Sequence, residues 1–194
     1  MTQRNRQLAA IVFTDIVGYS AIMREDERQA VKVRKRHRAV FDTLTPKYGG
    51  RILQYYGDGT LSIFNSSVAA VECAVEMQRE FGKDPKVPLR IGIHTGDITY
   101  DDVDLFGDGV NIAARIEPCC IAGGIYLTGR VYEDIRNHDW LRTRSLGAFT
   151  FKGIEEPVAL YAVANEGVVV PGEADIHALQ HSDAKLVSIT PAAG

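Results

Sequence analysis

The chain is poor in cysteine and has no long apolar run. Its three cysteines, Cys73, Cys119 and Cys120, are an odd number without the spacing of a disulfide framework, which indicates free thiols in a reducing compartment. For the adjacent pair we favour small buried residues over oxidation-prone thiols. No apolar run approaches the length of a spanning helix, and the first six residues lack the apolar stretch of a signal peptide. We therefore expect a cytoplasmic chain with no membrane segment.

Neither sign of charge dominates the sequence. The 22 Lys and Arg residues and the 25 Asp and Glu residues leave a net charge of −3, so no global basic field draws the chain to nucleic acid. Basic residues do cluster between Arg28 and Arg38. Because Glu25, Asp26 and Glu27 adjoin this cluster and no aromatic residues are interleaved, a solvated helix face is favoured over a nucleic-acid site.

Several common catalytic signatures are missing. The sequence has no Gly-x-x-x-x-Gly-Lys loop, no Gly-x-Gly-x-x-Gly turn and no Gly-x-Ser-x-Gly elbow, so P-loop, Rossmann and α/β-hydrolase proteins have no support. No spacing of Cys and His is typical of a zinc site. His37 and His94 lie in apolar patterns, and we interpret them as core or half-buried histidines rather than as ligands or bases.

The chain does have an ordinary globular composition and a clear order of elements. Its 194 residues are 45% hydrophobic and 24% charged, which suits one domain with tails. Apolar periodicity and turn residues predict strands and helices in the order βαββαβ, followed by a smaller αβαββ extension. The predicted strands are 8–17, 51–56, 60–64, 89–96, 124–128, 142–151 and 157–164, and the predicted helices are 21–44, 66–82, 108–117 and 129–136.

This order predicts an α+β fold with a ferredoxin-like palm, its helices on one face of the sheet, and a C-terminal αβ extension. Pro46 and the glycines that follow it are expected to end the first helix. Asp58-Gly59 is expected to form the turn of a hairpin. The pattern fades from about Asn165, so we expect residues 1–164 to form the folded domain and residues 165–194 to form a C-terminal tail or linker.

Two aspartates stand where a predicted strand meets a turn. Asp15 ends an apolar segment, and Asp58 lies between the two strands of the hairpin. An isolated aspartate in such a place is usually a cap or a turn residue. On neighbouring strands of a ferredoxin-like sheet, however, two carboxylates can share hard cations such as Mg²⁺ or Mn²⁺, and the backbone carbonyl of Ile16 is a natural further ligand. The pair is the minimum apparatus for two-metal chemistry on a phosphate.

A third segment places polar side chains at helical spacing. Asn111 and Arg115 are four residues apart on a predicted helix and therefore share a face, with Asp104 and Asp108 near the start of the helix. The alternative is a surface helix with routine polar residues. A guanidinium presents a rigid fork that suits a phosphate. Lys152 ends a predicted strand before a glycine, and spacing alone predicts only an exposed lysine there.

The combination of three segments, in this order and spacing, resembles the class III nucleotidyl cyclase catalytic domain, the adenylate and guanylate cyclase family. The segments are Phe13-Thr-Asp-Ile, Tyr56-Gly-Asp-Gly-Thr and Phe106-Gly-Asp-Gly-Val-Asn-Ile-Ala-Ala-Arg. The resemblance runs from about Leu8 to Val163. It implies a head-to-tail homodimer with two active sites at its interface, and any regulatory domain would lie outside this chain.

The resemblance also implies roles for individual residues. Asp15 and Asp58 are expected to hold two divalent cations, Mg²⁺ or Mn²⁺. Asn111 is expected to orient the nucleotide and Arg115 to stabilise the pentavalent phosphate, both from the opposite chain. Lys152 resembles the lysine of the family that contacts the triphosphate. The implied reaction is the conversion of ATP to 3′,5′-cyclic AMP and pyrophosphate.

One position departs from the pattern that selects the base. The aspartate of the family's selecting pair matches Asp104, seven residues before Asn111. The lysine of that pair should stand four residues before Asp58, where this chain has Gln54. An ionised aspartate accepts from the amino group of adenine and repels the carbonyl oxygen of guanine, so ATP is favoured. Guanylate or mixed specificity, and a catalytically weak nucleotide-binding or dimerisation module, are the alternatives.

Overall fold

The computed structural model describes residues 5–100, 105–181 and 185–187. Within them the chain forms a nine-stranded sheet with helices on both faces. The strands are β1 (Asn5–Ile16), β2 (Gly50–Tyr56), β3 (Gly59–Phe64), β4 (Leu89–Tyr100), β5 (Leu105–Phe106), β6 (Ile125–Thr128), β7 (Thr143–Thr150), β8 (Val158–Val163) and β9 (Lys185–Val187). The helices are α1 (Tyr19–Glu25), α2 (Glu27–Lys47), α3 (Ser67–Phe81), α4 (Asp108–Ile116), α5 (Gly129–Ile135) and α6 (Glu173–Gln180), with a 3₁₀ turn η1 (Glu117–Cys119) directly after α4.

The strand order confirms the predicted α+β architecture. The sheet runs β2-β3-β1-β4-β6-β8-β7-β9, and β5 pairs with β4. Strand β1 is central and pairs antiparallel with both β3 and β4, which is the ferredoxin-like arrangement of a βαββαβ unit. The C-terminal extension continues the same sheet, because β6 pairs parallel with β4 and β8 pairs antiparallel with β6.

Side chains of β1 alternate between two apolar cores, as the pleat of a strand requires. Ala10 and Val12 contribute to the larger core with α2 and α3, whereas Ala9 and Ile11 pack in a smaller core with α4 on the opposite face. Asp15 has the same parity as Ile11. The alternation therefore turns the carboxylate at the end of β1 toward the face that carries α4.

Helix α4 and the turn after it lie very close to β4, and glycines permit this. A Cβ atom on Gly96 would stand 3.0 Å from the Cα atom of Gly109 in α4. A Cβ atom on Gly92 would stand 2.8 Å from the backbone nitrogen and Cα atom of Glu117 in η1. Two close approaches four residues apart on β4 thus fix how α4 and η1 cross the sheet.

The helix predicted over 21–44 is two helices. Asp26 takes an extended conformation (φ −150°, ψ 93°), and its carboxylate accepts a hydrogen bond of 3.0 Å from the backbone N–H of Gln29. Asp26 therefore ends α1 and caps α2. The apolar period continues across the break, so periodicity alone did not distinguish a helix interior from a cap, which aspartate prefers.

Two further local predictions were wrong by one or two residues. Pro46 lies inside the last turn of α2 instead of ending it, and α2 stops at Lys47. The hairpin turn is Gly57-Asp58 rather than Asp58-Gly59, because Gly57 adopts the left-handed conformation (φ 59°) and Gly59 already pairs in the sheet with Tyr56.

Residues after 164, expected to form a tail, pack against the domain as far as the structure describes them. The backbone N–H of Val169 donates to the carbonyl of Gly123 at 2.9 Å, and Leu179 of α6 is buried in a third apolar cluster. Strand β9 extends the sheet beside β7. The boundary of the catalytic domain at residue 164 stays a prediction. In the described ranges, no helix combines the length and apolar character that crossing a bilayer requires.

Candidate active site

The carboxyl groups of Asp15 and Asp58 meet at one end of the sheet. Strand β1 pairs with β3 so that Thr14 lies opposite Thr60, which brings the turn before β3 alongside the end of β1. Burial, a hydrogen bond with Asp15 and repulsion from Asp15 raise the pKa of the Asp58 carboxyl to about 6. Two carboxylates held this close repel each other when both are ionised, and a cation bound between them removes that repulsion.

The donor set at this end fits a hard divalent cation. Carboxylate oxygens are the ligands that Mg²⁺ and Mn²⁺ prefer. Ile16 has a hydrocarbon side chain, which is buried, so the only ligand atom that it could offer is its backbone carbonyl oxygen. No cluster of three or more Asp, Glu, His or Cys side chains in the described ranges could hold a metal ion. Further ligands would therefore come from backbone carbonyls, water and substrate, which is usual for Mg²⁺.

Gly59 allows the two aspartates to approach each other. A Cβ atom on Gly59 would stand 2.8 Å from the backbone carbonyl oxygen of Thr14, the residue before Asp15. Real Cβ atoms do not come so close to backbone, and a strand carbonyl cannot rotate away as a side chain can. The absence of a side chain at position 59 therefore lets β3 start beside the end of β1.

We expect Gly59→Ala to force β1 and β3 apart and to separate Asp58 from Asp15. The overpacking should destabilise the fold by about 1–3 kcal/mol and weaken Mn²⁺ binding. Thermal unfolding and Mn²⁺ titration would measure the two effects. The matched control is Gly57→Asn, since a Cβ atom at position 57 meets nothing within 4 Å and asparagine tolerates the positive φ. Equal metal affinity in both variants would contradict this role of Gly59.

Two charged residues at this site were missed by sequence reasoning. Arg90 lies opposite Asp15 in the β1–β4 register and donates to it, with 2.8 Å between Arg90 Nη2 and Asp15 Oδ2. The Nε atom of Arg90 pairs with Glu117 Oε1. Burial, with added repulsion from Asp15 and Asp58, raises the pKa of Glu117 to about 7, although Arg90 opposes the shift. Arg90 alternates with buried apolar residues in β4, but its partners depend on strand pairing that no local pattern reveals.

Asn111 and Arg115 lie on α4, away from the face that packs on the sheet. Gly109, Ala113 and Ile116 form the buried side of the helix, and both polar side chains are exposed. Among the described residues, no hydrogen bond or ion pair joins either of them to Asp15 or Asp58. Within one chain, Asp15 and Asp58 therefore form one group and Asn111 and Arg115 on α4 form a second, separate group.

A cleft of about 400 Å³ adjoins the second group. It lies between α4 and the loop after β7, and it is lined by Asp108, Asn111, Ile112 and residues 153–156. Lys152, which is exposed, directly precedes that loop. Gln54 is exposed in β2, beside an irregularity in its pairing with β3. Asp104 lies outside the described residues.

His37, His94 and Cys120 are buried, as predicted, whereas Cys119 is only half-buried. His37 is buried beside Phe41 and Phe81, and burial lowers its pKa to about 4. His94 is buried with its Nδ1 atom 2.9 Å from the hydroxyl of Thr128, and burial lowers its pKa to about 4 as well. Neither imidazole takes part in the candidate site. The three cysteines are free thiols; Cys73 and Cys120 are buried and Cys119 is half-buried.

The mixed α+β fold matches that of solved class III nucleotidyl cyclases. The solved structure of an adenylate/guanylate cyclase/hydrolase from Silicibacter pomeroyi superimposes with a TM-score of 0.77 at 31% identity, over 84% of this chain and 100% of that chain. An adenylyl cyclase of P. aeruginosa superimposes with a TM-score of 0.73 at 25% identity, over 84% of this chain and 97% of that one.

The chain belongs to the adenylate and guanylate cyclase catalytic domain family, whose model matches residues 1–165. A protein of Rhizobium meliloti (strain 1021), named "Putative adenylate cyclase 3", is 38% identical over 164 residues, which are 80% of this chain and 28% of that protein. The chain thus spans well under half the length of this curated relative. Class III cyclases generally use divalent metal ions and typically dimerise.

Proposed function

We propose that this chain converts ATP to 3′,5′-cyclic AMP and pyrophosphate, with two divalent cations, at the interface of a homodimer. The observation that carries the proposal is the meeting of Asp15 and Asp58 at the end of the sheet. Strands β1 and β3 place together two carboxylates that repel each other when both are ionised, and a cation bound between them would remove that repulsion. Family membership supplies the reaction class.

Within one chain the candidate residues lie in two separate groups, and this separation supports a site that is shared between two chains. Asp15 and Asp58 would hold the cations from one protomer. Asn111 and Arg115 on α4 and Lys152 just before the loop that faces Asn111 across the cleft would reach the same nucleotide from its partner. A head-to-tail dimer with two-fold symmetry joins the two groups twice, and so creates two equivalent sites.

The reaction is an in-line displacement at phosphorus. The ribose 3′-oxygen bonds to the α-phosphorus, the bond from that phosphorus to the bridging oxygen of the β-phosphate breaks, and the 3′-hydroxyl proton passes to solvent. Bound divalent cations would acidify that hydroxyl and neutralise the leaving pyrophosphate. Arg115 would stabilise the charge that grows on the α-phosphate oxygens, where electrostatic stabilisation has its largest effect. Asn111 would orient the ribose, and Lys152 would bind the triphosphate.

Two residues would select the base. Asp104 is acceptor-only when ionised, so it pairs with the exocyclic amino group of adenine and repels the carbonyl oxygen of guanine. The amide of Gln54 can donate to adenine N1, or turn and accept from guanine N1–H. Gln54 therefore favours a pocket that discriminates less than a lysine–aspartate pair would. Mixed specificity is the second candidate function, and Gln54 is the observation that favours it.

We expect cyclic AMP to be the dominant product. Product formation from ATP and from GTP would be measured separately with Mn²⁺ and with Mg²⁺, and the cyclic nucleotides resolved by chromatography. Comparable cyclic GMP would establish mixed specificity. If neither nucleotide gives product at concentrations where the chain is dimeric, the domain is a nucleotide-binding or dimerisation module.

Gln54→Lys should raise the preference for ATP over GTP by about fivefold, since a charged hydrogen bond to adenine N1 contributes about 1 kcal/mol more than a neutral one. The ratio of kcat/KM values for the two nucleotides measures the change. Gln29→Lys makes the same substitution at an exposed position on α2 and should leave the ratio unchanged. An unchanged ratio in the Gln54 variant would remove that residue from the base pocket.

A further inference from the structure

A single guanidinium is shared by two acids beside the proposed cation site. The Nη2 atom of Arg90 lies 2.8 Å from Asp15 Oδ2, and its Nε atom pairs with Glu117 Oε1. All three side chains are largely buried, with exposed fractions of 24% for Arg90, 25% for Asp15 and 11% for Glu117. Ion pairs shielded from water in this way interact more strongly than surface pairs.

Backbone packing holds Glu117 in place. It begins the turn η1 directly after α4, and its backbone lies against Gly92, two residues along the same face of β4 from Arg90. The carboxylate is therefore presented to Arg90 by a rigid contact between two elements rather than by a flexible loop. Glu117 itself does not contact Asp15 or Asp58 through a hydrogen bond in the described residues.

We propose that Glu117 is a positioning residue that restrains Arg90, so that Asp15 keeps a carboxylate available to a divalent cation. Arg90 and a bound cation compete for the negative charge of Asp15. Because Glu117 also pairs with the guanidinium of Arg90, the attraction between Arg90 and Asp15 is weaker. This inference rests on the cation site of the proposed function, and it adds a residue that the sequence pattern did not indicate.

The competition predicts effects of opposite sign for the two partners. In Glu117→Gln, Asp15 is the only acid of this group that still pairs with Arg90, so Arg90 binds it more strongly. Mn²⁺ binding should therefore weaken by about tenfold, the effect of one charge-assisted hydrogen bond to Asp15. Arg90→Gln removes the competitor, so Mn²⁺ binding should strengthen. In the Arg90→Gln background, Glu117→Gln should change the affinity by less than about twofold, because the group through which it acts is gone.

The experiment is a double-mutant cycle on the full chain, with Mn²⁺ alone as the probe and free Mn²⁺ measured by electron paramagnetic resonance. Asp58→Asn identifies the signal that belongs to this site. Glu133→Gln is the matched control, since it breaks an exposed pair with Arg136 and should leave the affinity unchanged. Melting temperatures of all variants separate a changed affinity from a changed fold, and the double variant leaves neither a charged Arg90 nor a charged Glu117 without its partner.

Three outcomes would overturn the inference: no effect of Glu117→Gln on Mn²⁺ affinity, tighter binding in that variant, or an equal effect with and without Arg90. An equal effect with and without Arg90 would mean that Glu117 acts on the cation by long-range electrostatics and not through Arg90. Since binding is measured without turnover, the product assay tests the proposed function independently. If Glu117→Gln weakens Mn²⁺ binding only when Arg90 is present but no cyclic nucleotide is formed, the proposed function alone is refuted. If cyclic nucleotide is formed but the effects of the two substitutions on Mn²⁺ affinity are additive, this inference alone is refuted.

Discussion

Asp58→Asn should lower kcat by about a thousandfold or more while making the fold more stable at neutral pH. The loss of activity follows because asparagine cannot supply the charge that holds a divalent cation, and such a cation contributes several kcal/mol to the transition state. The gain in stability follows from the pKa of about 6 that burial and Asp15 give to the Asp58 carboxyl. A variant that merely disrupts the fold would lower both quantities.

The sign of the stability effect depends on pH. The pKa of Asp58 is raised above its ordinary value of 3.8, so the folded chain holds the proton more tightly than the unfolded chain does. The stability contributed by the neutral carboxyl is fully present below the unfolded pKa and is lost as pH rises through about 6. Asn should therefore raise the melting temperature in chelator above about pH 7 and change it little near pH 4.

Asp139→Asn is the control for this prediction, because Asp139 is exposed on the loop before β7. It should change neither kcat nor the pH dependence of unfolding. Size-exclusion chromatography would test that the Asp58 variant still forms the dimer. Near wild-type turnover in the Asp58 variant would refute the assignment of the cation site, whatever happens to stability.

Mixing two inactive chains should restore activity. A dimer of one Asp58→Ala chain and one Arg115→Ala chain has one site that lacks both groups and one site that lacks neither. With free exchange of subunits in an equal mixture, half of the dimers are mixed, so activity should reach about a quarter of the wild-type value. This result follows only if Arg115 serves the nucleotide that is bound by the partner's cation site.

The matching control pairs an Asp58→Ala chain with a chain that carries both substitutions. No combination of these chains has an intact site, so the mixture should stay inactive. Differently tagged chains that are captured together would prove that subunits exchange. If exchange is proven and the first mixture still has no activity, the shared interface is wrong, and Arg115 acts within its own chain or not at all.

Local sequence determined the elements of this protein well, because apolar periodicity reflects the burial of single strands and helices. Strand β1, helix α3 and the strands of the extension appear within a few residues of their predicted limits. The errors lie at residues whose local pattern is compatible with two different positions in a helix or a turn. Asp26 is a helix cap instead of part of a helix interior, and Gly57 rather than Gly59 takes the positive-φ position of the hairpin turn.

The candidate site likewise contains residues that the sequence indicated and residues that it did not. The sequence by itself supplied Asp15, Asp58, Asn111 and Arg115, because each belongs to a short segment with a recognisable order of residues. It did not supply Arg90 or Glu117. Their segments carry no signature, and their pairing exists only because β4 lies beside β1 while η1 crosses β4 at Gly92.

Sequence therefore determined most of the elements, the family that the chain resembles and the candidate residues for its chemistry. The predicted sheet already placed Asp15 near Asp58. Tertiary structure alone placed Arg90 between Asp15 and Glu117 and formed the cleft beside Asn111. The physical reason is that secondary structure depends on neighbours within a few positions, whereas these contacts join residues tens of positions apart. Strand register and the close approaches at Gly59 and Gly92 set those contacts, and both are properties of the folded sheet.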